Sequence, residues 1–242
     1  MSSSLAPDAV SSNYWLVIPA SGIGERMQAD RPKQYLPLRN QTVIQQTLNR
    51  FDNIEVIKGI VVAISASDQY WPTLDIKQQN KITVTQGGAE RAHTVLNALY
   101  ALSLHADDND WVLVHDAARP CVSEHDINKL ITACKNDDVG GLLAVPVRDT
   151  MKRGNEDGRT VLTEDRSNLW HALTPQLFRL GMLRHALEQA MESEMVITDE
   201  ASAMEYMNQS ARLVEAAASN IKITRPEDLL LAEFYLQQQD KV

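Results

Sequence analysis

Arg26 and Lys33 follow a short glycine loop, Ala20-Ser21-Gly22-Ile23-Gly24, and the three features together describe a place for phosphate. Glycine admits positive φ and removes side chains that would block a ligand. Successive backbone N–H groups in such a loop can point inward and hold phosphate oxygens. Arg26 offers a planar fork for two oxygens, while Lys33 offers a compact charge. The loop is not the dinucleotide fingerprint, because Met27 stands where the third glycine belongs. It is not a P-loop either, since Gly-Lys-Ser/Thr occurs nowhere in the chain. A nucleoside triphosphate fits these residues, with both cations binding its phosphates and stabilising a crowded phosphorus centre.

A second candidate is Asp116, which follows the apolar run Trp111-Val112-Leu113-Val114. A carboxylate at the end of a buried strand suits Mg²⁺, which takes one or two protein carboxylates and fills its shell with phosphate oxygens and water. The alternative is that Asp116 caps the following turn and pairs with Arg119. His115 reads as a packing or hydrogen-bonding group, because a phosphate nucleophile arrives already deprotonated. Further basic residues gather at Arg148, Lys152, Arg153, Arg159 and Arg166, and a lone Lys222 sits in Ile221-Lys222-Ile223. Alternation along a strand would turn Lys222 to the face opposite its neighbours.

Several separated motifs resemble one family. They are Pro32-Lys33-Gln34-Tyr35-Leu36, Gly87-Gly88 with Glu90-Arg91, Val114-His115-Asp116-Ala117-Ala118-Arg119-Pro120, Pro146-Val147-Arg148-Asp149-Thr150, Trp170-His171-Ala172-Leu173-Thr174-Pro175-Gln176, Thr198-Asp199-Glu200-Ala201-Ser202 and Asn220-Ile221-Lys222-Ile223-Thr224. In this order they resemble the nucleotidyltransferases that activate sugar and polyol phosphates, in particular the 2-C-methyl-D-erythritol 4-phosphate cytidylyltransferases. The resemblance runs from about residue 15 to about residue 235.

It implies transfer of CMP from CTP to the methylerythritol phosphate, with Mg²⁺ as cofactor and release of pyrophosphate. Another polyol phosphate, such as ribitol 5-phosphate, is the alternative acceptor. By resemblance, Ala20, Ser21, Gly22, Gly24, Arg26, Lys33, Gly88, Thr94, Asp116 and Ala117 bind CTP. Arg166 and Lys222 hold the acceptor phosphate, with Thr150, Thr174 and Thr198 as further acceptor contacts. Arg26, Lys33, Arg166 and Lys222 are the expected catalytic set. Cytosine selection is expected from backbone groups near Ala20 and Gly88. The chain departs from the family pattern at Ser21, Ala89 and Thr94, where alanine, aspartate and serine are common.

These residues need a frame to hold them. Apolar runs at 15–19, 59–65, 82–85, 111–115 and 142–147 read as strands. Amphipathic stretches at 43–51, 92–104 and from Ser123 to about 135 read as helices. Strands alternating with helices predict a mostly parallel Rossmann-like sheet with helices on both faces. From Arg148 to Trp170 the alternation breaks in a charged stretch with Gly154, Asn155 and Gly158. The resemblance implies a β-hairpin arm over about 148–170 that is exchanged across a homodimer. Helices at 180–191 and 199–206, strands at 212–215 and 221–223, and a closing helix from Pro226 complete a single domain over 14–238.

Composition limits the alternatives. The 242 residues carry a formal net charge of −9, which argues against a nucleic-acid partner, and 44% apolar content is ordinary for a globular protein. Basic islands in an acidic chain suit a small polyanion. The two cysteines, Cys121 and Cys134, form no redox or metal motif. Residues 1–13 lack a basic start and apolar core, and read as a disordered tail on a cytoplasmic protein. No apolar run approaches the roughly 18 residues of a membrane span.

Overall fold

The computed structural model describes residues 13–22, 24, 27 and 29–241, so residues 1–12 of the expected tail lie outside the described residues. The first apolar run forms β1 (Tyr14–Pro19), and a small ladder of β2 (Pro37–Leu38) and β3 (Gln41–Thr42) precedes α1 (Val43–Asn49). There follow β4 (Ile57–Ile64), β5 (Ile82–Gln86), α2 (Arg91–Leu102), β6 (Trp111–Val114), α3 (Glu124–Cys134) and β7 (Gly140–Pro146). A hairpin of β8 (Lys152–Gly154) and β9 (Thr160–Thr163) leads to β10 (Trp170–Arg179). The chain ends with α4 (Leu180–Glu192), α5 (Glu200–Tyr206), β11 (Arg212–Glu215) and α6 (Glu227–Gln239).

Among the described residues the main sheet has seven strands in the order β11-β7-β10-β6-β1-β4-β5. Every neighbouring pair is parallel except those made by β10, which runs antiparallel to both β6 and β7. Side chains of a strand point alternately to opposite faces, and the core divides accordingly. Leu16, Ile18, Ile60, Val62 and Leu113 pack beneath α1 and α3. Val17, Val61, Val112 and Val114 pack beneath α2, α4 and α5. The expected α/β sandwich of helices on both faces is therefore present. A third cluster, with Met27, Leu36, Ile223, Ala232 and Leu236, seats α6 beside the glycine loop. No helix among the described residues is long and apolar enough to cross a membrane.

Two local expectations change. Residues 221–223 form no strand, because their backbone N–H groups are spent on one local turn and one cross-link to another loop. Ile221 N–H donates to the Ser219 carbonyl at 2.8 Å, and Ile223 N–H donates to the Ala118 carbonyl at 2.8 Å. The stretch through Trp170, in turn, is the start of a ten-residue strand, β10. Its ladder with β7 is interrupted between Ala172 and Gln176. Pro175 lies inside that gap and has no N–H to give.

The arm is present as a hairpin. Lys152 pairs with Thr163 and Arg153 with Leu162, and Gly158 turns the tip at φ +73°. Asn13, counted above with the tail, is tied down: its N–H donates to Asp110 Oδ1 at 2.9 Å.

Candidate active site

The strand order reverses direction beside β1, since β4 and β5 lie on one side of it and β6 on the other. Open α/β sheets bind ligands at the carboxyl ends of strands where such a reversal leaves a crevice. A cleft of about 550 Å³ opens there. Ala20, Ser21, Gly22, Gly24, Lys33, Gly88, Thr94, Asp116, Ala117 and Lys222 all line it. Arg26 lies outside the described residues.

The glycine loop is held from below. The buried Gln34 amide donates to the carbonyls of Ala20 at 2.7 Å and Gly22 at 3.1 Å. Gly24 has φ +69°, and a Cβ there would come within 2.9 Å of Lys33 Cγ. Glycine is thus needed both for the backbone conformation and for the lysine beside it. Lys33 Nζ donates to the Ile223 carbonyl at 2.9 Å, which ties the loop to the segment carrying Lys222.

Asp116 is the electrostatic centre of the cleft. Its Oδ1 meets Arg91 Nε at 3.1 Å, and its Oδ2 meets Lys222 Nζ at 2.9 Å and Arg119 Nε at 3.4 Å. Burial works against the charge. The neighbouring Arg91, Lys222 and Arg119 outweigh it and hold the carboxyl far below the usual carboxylate range. The pairing of Asp116 with Arg119 and its place on the cleft wall therefore coexist. Arg91 in turn grips the buried Glu200 with Nη1 at 2.7 Å and Nη2 at 3.1 Å. Three cations against two carboxylates give this cluster a net positive charge, and Lys33 stands on the same cleft wall. Such a surplus suits polyphosphate.

Beneath this layer His115 is fully buried, with Nε2 3.0 Å from the Arg119 carbonyl and Nδ1 3.0 Å from Thr174 Oγ1. Burial pushes its pKa down to about 4. A carbonyl can only accept, so the neutral ring carries its proton on Nε2, and the Thr174 hydroxyl donates to Nδ1. Thr174 Oγ1 also accepts the Asp116 N–H at 3.0 Å. Thr174 thus lies under the floor of the cleft rather than in its wall. Asn220 completes this floor by donating to the Thr174 carbonyl at 2.8 Å and accepting from Arg119 Nη1 at 2.8 Å.

The remaining expected acceptor contacts stand apart. Thr150 and Arg166 are exposed on the arm, Thr198 is exposed just ahead of α5, and none of them lines the cleft. Asp199 caps α5, accepting from Ser202 N at 2.9 Å. Arg91 and Glu200 stand within the quoted motifs, yet the sequence assigns neither a role. Only the fold brings them together. Their charges and buried settings hold no local signature that periodicity could report.

Residues 14–238 match the family described as 2-C-methyl-D-erythritol 4-phosphate cytidylyltransferase. A protein of that name from Pseudomonas entomophila (strain L48) is 53% identical over 217 residues, covering 89% of this chain and 92% of its own length. A Francisella tularensis 2-C-methyl-D-erythritol 4-phosphate cytidylyltransferase crystal structure superposes with a TM-score of 0.82 at 39% identity, covering 93% of this chain and 100% of that one. The enzyme of the same name from Thermus thermophilus gives a TM-score of 0.75 at 27% identity over 93% of this chain and 99% of that one. With the glycine loop, the Asp116 cluster and the sheet order all in place, the chain belongs to the 2-C-methyl-D-erythritol 4-phosphate cytidylyltransferase family.

Proposed function

We propose that the chain transfers CMP from CTP to 2-C-methyl-D-erythritol 4-phosphate in the non-mevalonate route to isoprenoids. The products are 4-diphosphocytidyl-2-C-methyl-D-erythritol and pyrophosphate. The observation that carries this reading is the group of three cations on Asp116, set beside a glycine loop at the carboxyl edge of the sheet. The family's name supplies the acceptor, and the relatives above are named for methylerythritol phosphate rather than ribitol phosphate.

In the reaction an oxygen of the acceptor phosphate bonds to the α-phosphorus of CTP, and the bond to the β-phosphate oxygen breaks. Charge builds on the α-phosphoryl oxygens and on departing pyrophosphate, so catalysis is mainly positioning and electrostatic stabilisation. Lys33, beside the loop, is placed to meet the triphosphate. Lys222, with its ammonium on Asp116, is placed to hold the acceptor phosphate against it.

Magnesium fits the donor set. Among the described residues no cluster of three metal-ligating side chains occurs. Asp116 Oδ1 carries a single ion-pair contact there and lies on the cleft wall. One carboxylate oxygen is enough for an ion that draws its other ligands from phosphate and water. Bound with the triphosphate, the ion would neutralise phosphate charge.

The arm supports a homodimer with exchanged arms. Val161 and Leu162 are exposed on the hairpin at 60% and 45%. Arg166, exposed on the arm and not among the residues that line the cleft of its own chain, then serves the partner's site. A cytoplasmic location goes with this reading.

An assay with CTP, Mg²⁺ and methylerythritol phosphate tests the function through pyrophosphate release. Turnover is expected only with all three present. Equal turnover with ATP, or release without the acceptor, overturns the reading.

A further inference from the structure

Lys33, Gln34 and Tyr35 form one turn of 3-10 helix, and each side chain ties down a different segment. Lys33 Nζ donates to the Ile223 carbonyl at 2.9 Å, and the Tyr35 hydroxyl donates to Asp68 Oδ2 at 2.7 Å in the loop after β4. Gln34 stands between them, 3% exposed, and spends its carboxamide on the glycine loop. A carboxamide nitrogen carries two protons. Here it serves two carbonyls of the same loop, Ala20 at 2.7 Å and Gly22 at 3.1 Å.

Those two bonds matter because residues 20–22 lie in no helix or strand, so no ladder dictates their shape. The Ala20 N–H still reaches the Ala63 carbonyl at 2.8 Å, and Ser21 Oγ lies 2.7 Å from Thr94 Oγ1 on α2. The direction of the next peptide is set from Gln34. The Ala20–Ser21 bond is trans, so its N–H points opposite to its C=O. With the Ala20 carbonyl on Gln34, the Ser21 N–H is turned away from Gln34. Among the described residues neither that N–H nor the Gly22 N–H meets an acceptor, and both residues line the cleft. A Cβ at Gly22 would meet nothing within 4 Å. Unpaired backbone donors beside an open, cation-rich cleft suit an anionic group.

We infer that Gln34 is a positioning residue for the triphosphate, fixing through the Ala20 and Gly22 carbonyls the one loop shape in which the Ser21 and Gly22 N–H groups stay available to phosphate oxygens. This rests on the proposed function, in which the cleft binds CTP. Gln34 acts through the backbone it holds. Without its two bonds the loop spreads over several shapes, and the apparent affinity falls with the fraction of time spent in the competent one. The net worth of a hydrogen bond makes that loss about tenfold.

The test is equilibrium binding of CTP to the full chain by calorimetry, for the native protein, Gln34→Met and Gln34→Glu, with folding of each checked by denaturant unfolding. Gln34→Met keeps the length and loses both donors, and its CTP dissociation constant is expected to rise about tenfold. Gln34→Glu separates orientation from packing. Its ionised carboxyl sets oxygens against two carbonyls, and burial favours the protonated form, which can donate one bond. Relative to the native protein, its CTP affinity is therefore expected to recover as pH is lowered from about 8 to about 6, while that of Gln34→Met does not. Should Gln34→Met fail to fold, Gln34→Glu decides. Native CTP affinity in folded Gln34→Met overturns the inference, as does the absence of recovery at low pH in Gln34→Glu. The pyrophosphate assay keeps the two readings apart. A native chain that binds CTP but gives no turnover with the acceptor tells against the reaction, whereas unmoved CTP affinity in the variants tells against Gln34 alone.

Discussion

Arg91 and Glu200 stand 109 positions apart in the chain and meet through two hydrogen bonds, at 2.7 and 3.1 Å. Glu200 opens α5 and is 1% exposed, while Arg91 opens α2 and reaches on to Asp116. The pair therefore joins the helix following Thr198 to the carboxylate at the centre of the cleft. Such a link should be measurable as coupling. Arg91→Ala and Glu200→Ala should each destabilise, and the double variant should lose less than the sum of the two by about 0.5–3 kcal/mol. Denaturant unfolding of all four proteins gives the answer, and strict additivity would show that the pair contributes no coupling.

Lys33→Ala should lower kcat by about 10²–10³, the usual loss for one preorganised electrostatic group. Pyrophosphate release under saturating substrates measures it. A loss of tenfold or less in kcat/KM would place the triphosphate elsewhere than the glycine loop.

Asp116→Asn should affect both activity and stability. The amide keeps the shape but leaves Arg91, Arg119 and Lys222 without their shared counter-charge. Removing one partner of a buried ion pair costs about 3–5 kcal/mol, which unfolding experiments will register. The Mg²⁺ concentration needed for half-maximal rate should also rise. Full activity at low Mg²⁺ would remove Asp116 from the metal site.

His115 gives the fold a dependence on acid. Its folded pKa of about 4 lies below the ordinary 6.5. Between those values the unfolded chain binds more protons, so stability falls as pH is lowered through that window and is fully present above it. The difference amounts to about 3 kcal/mol. His115→Asn should flatten stability against pH from 6.5 to 4 when measured in chelator. An unchanged slope would assign the acid sensitivity to other groups.

The proposed exchange of arms makes a prediction about mixed dimers. Lys33→Ala and Arg166→Ala homodimers should each be nearly inactive. If Arg166 serves the partner's site, a mixed dimer collects both lesions in one site and leaves the other whole. Random re-pairing of equal amounts should then recover about a quarter of native activity, by twofold symmetry. No recovery after confirmed subunit exchange would keep Arg166 within its own chain.

The parts of this architecture that sequence discloses are those written locally. Val95, Leu96, Leu99 and Leu102 predict the inner face of α2, and all four are buried. Residues of the glycine loop and Asp116 are legible because short-range patterns place them at strand ends. β10 escapes because Pro175 and the interruption between Ala172 and Gln176 break its alternation. Residues 221–223 mislead for the opposite reason, since three alternating residues look like a strand whether or not a neighbour is available to pair. The Arg91–Glu200 contact and the Ser21–Thr94 contact join segments 109 and 73 positions apart, and no local window contains both partners.

The arm leaves and re-enters the sheet between strands that are direct neighbours. Trp170 on β10 pairs with Pro146 on β7, and Val147 N–H donates to the Leu169 carbonyl at 2.9 Å to close the base. The hairpin is therefore a long version of the turn any two adjacent antiparallel strands require. Residues can be added or removed near its tip, at 155–158, without shifting the register of β7 on β10, because the excursion starts and ends at one hydrogen-bonded rung. That makes the arm a separable cassette. Its length and sequence can diverge, or be swapped by an engineer, while the catalytic edge of the sheet stays where it is.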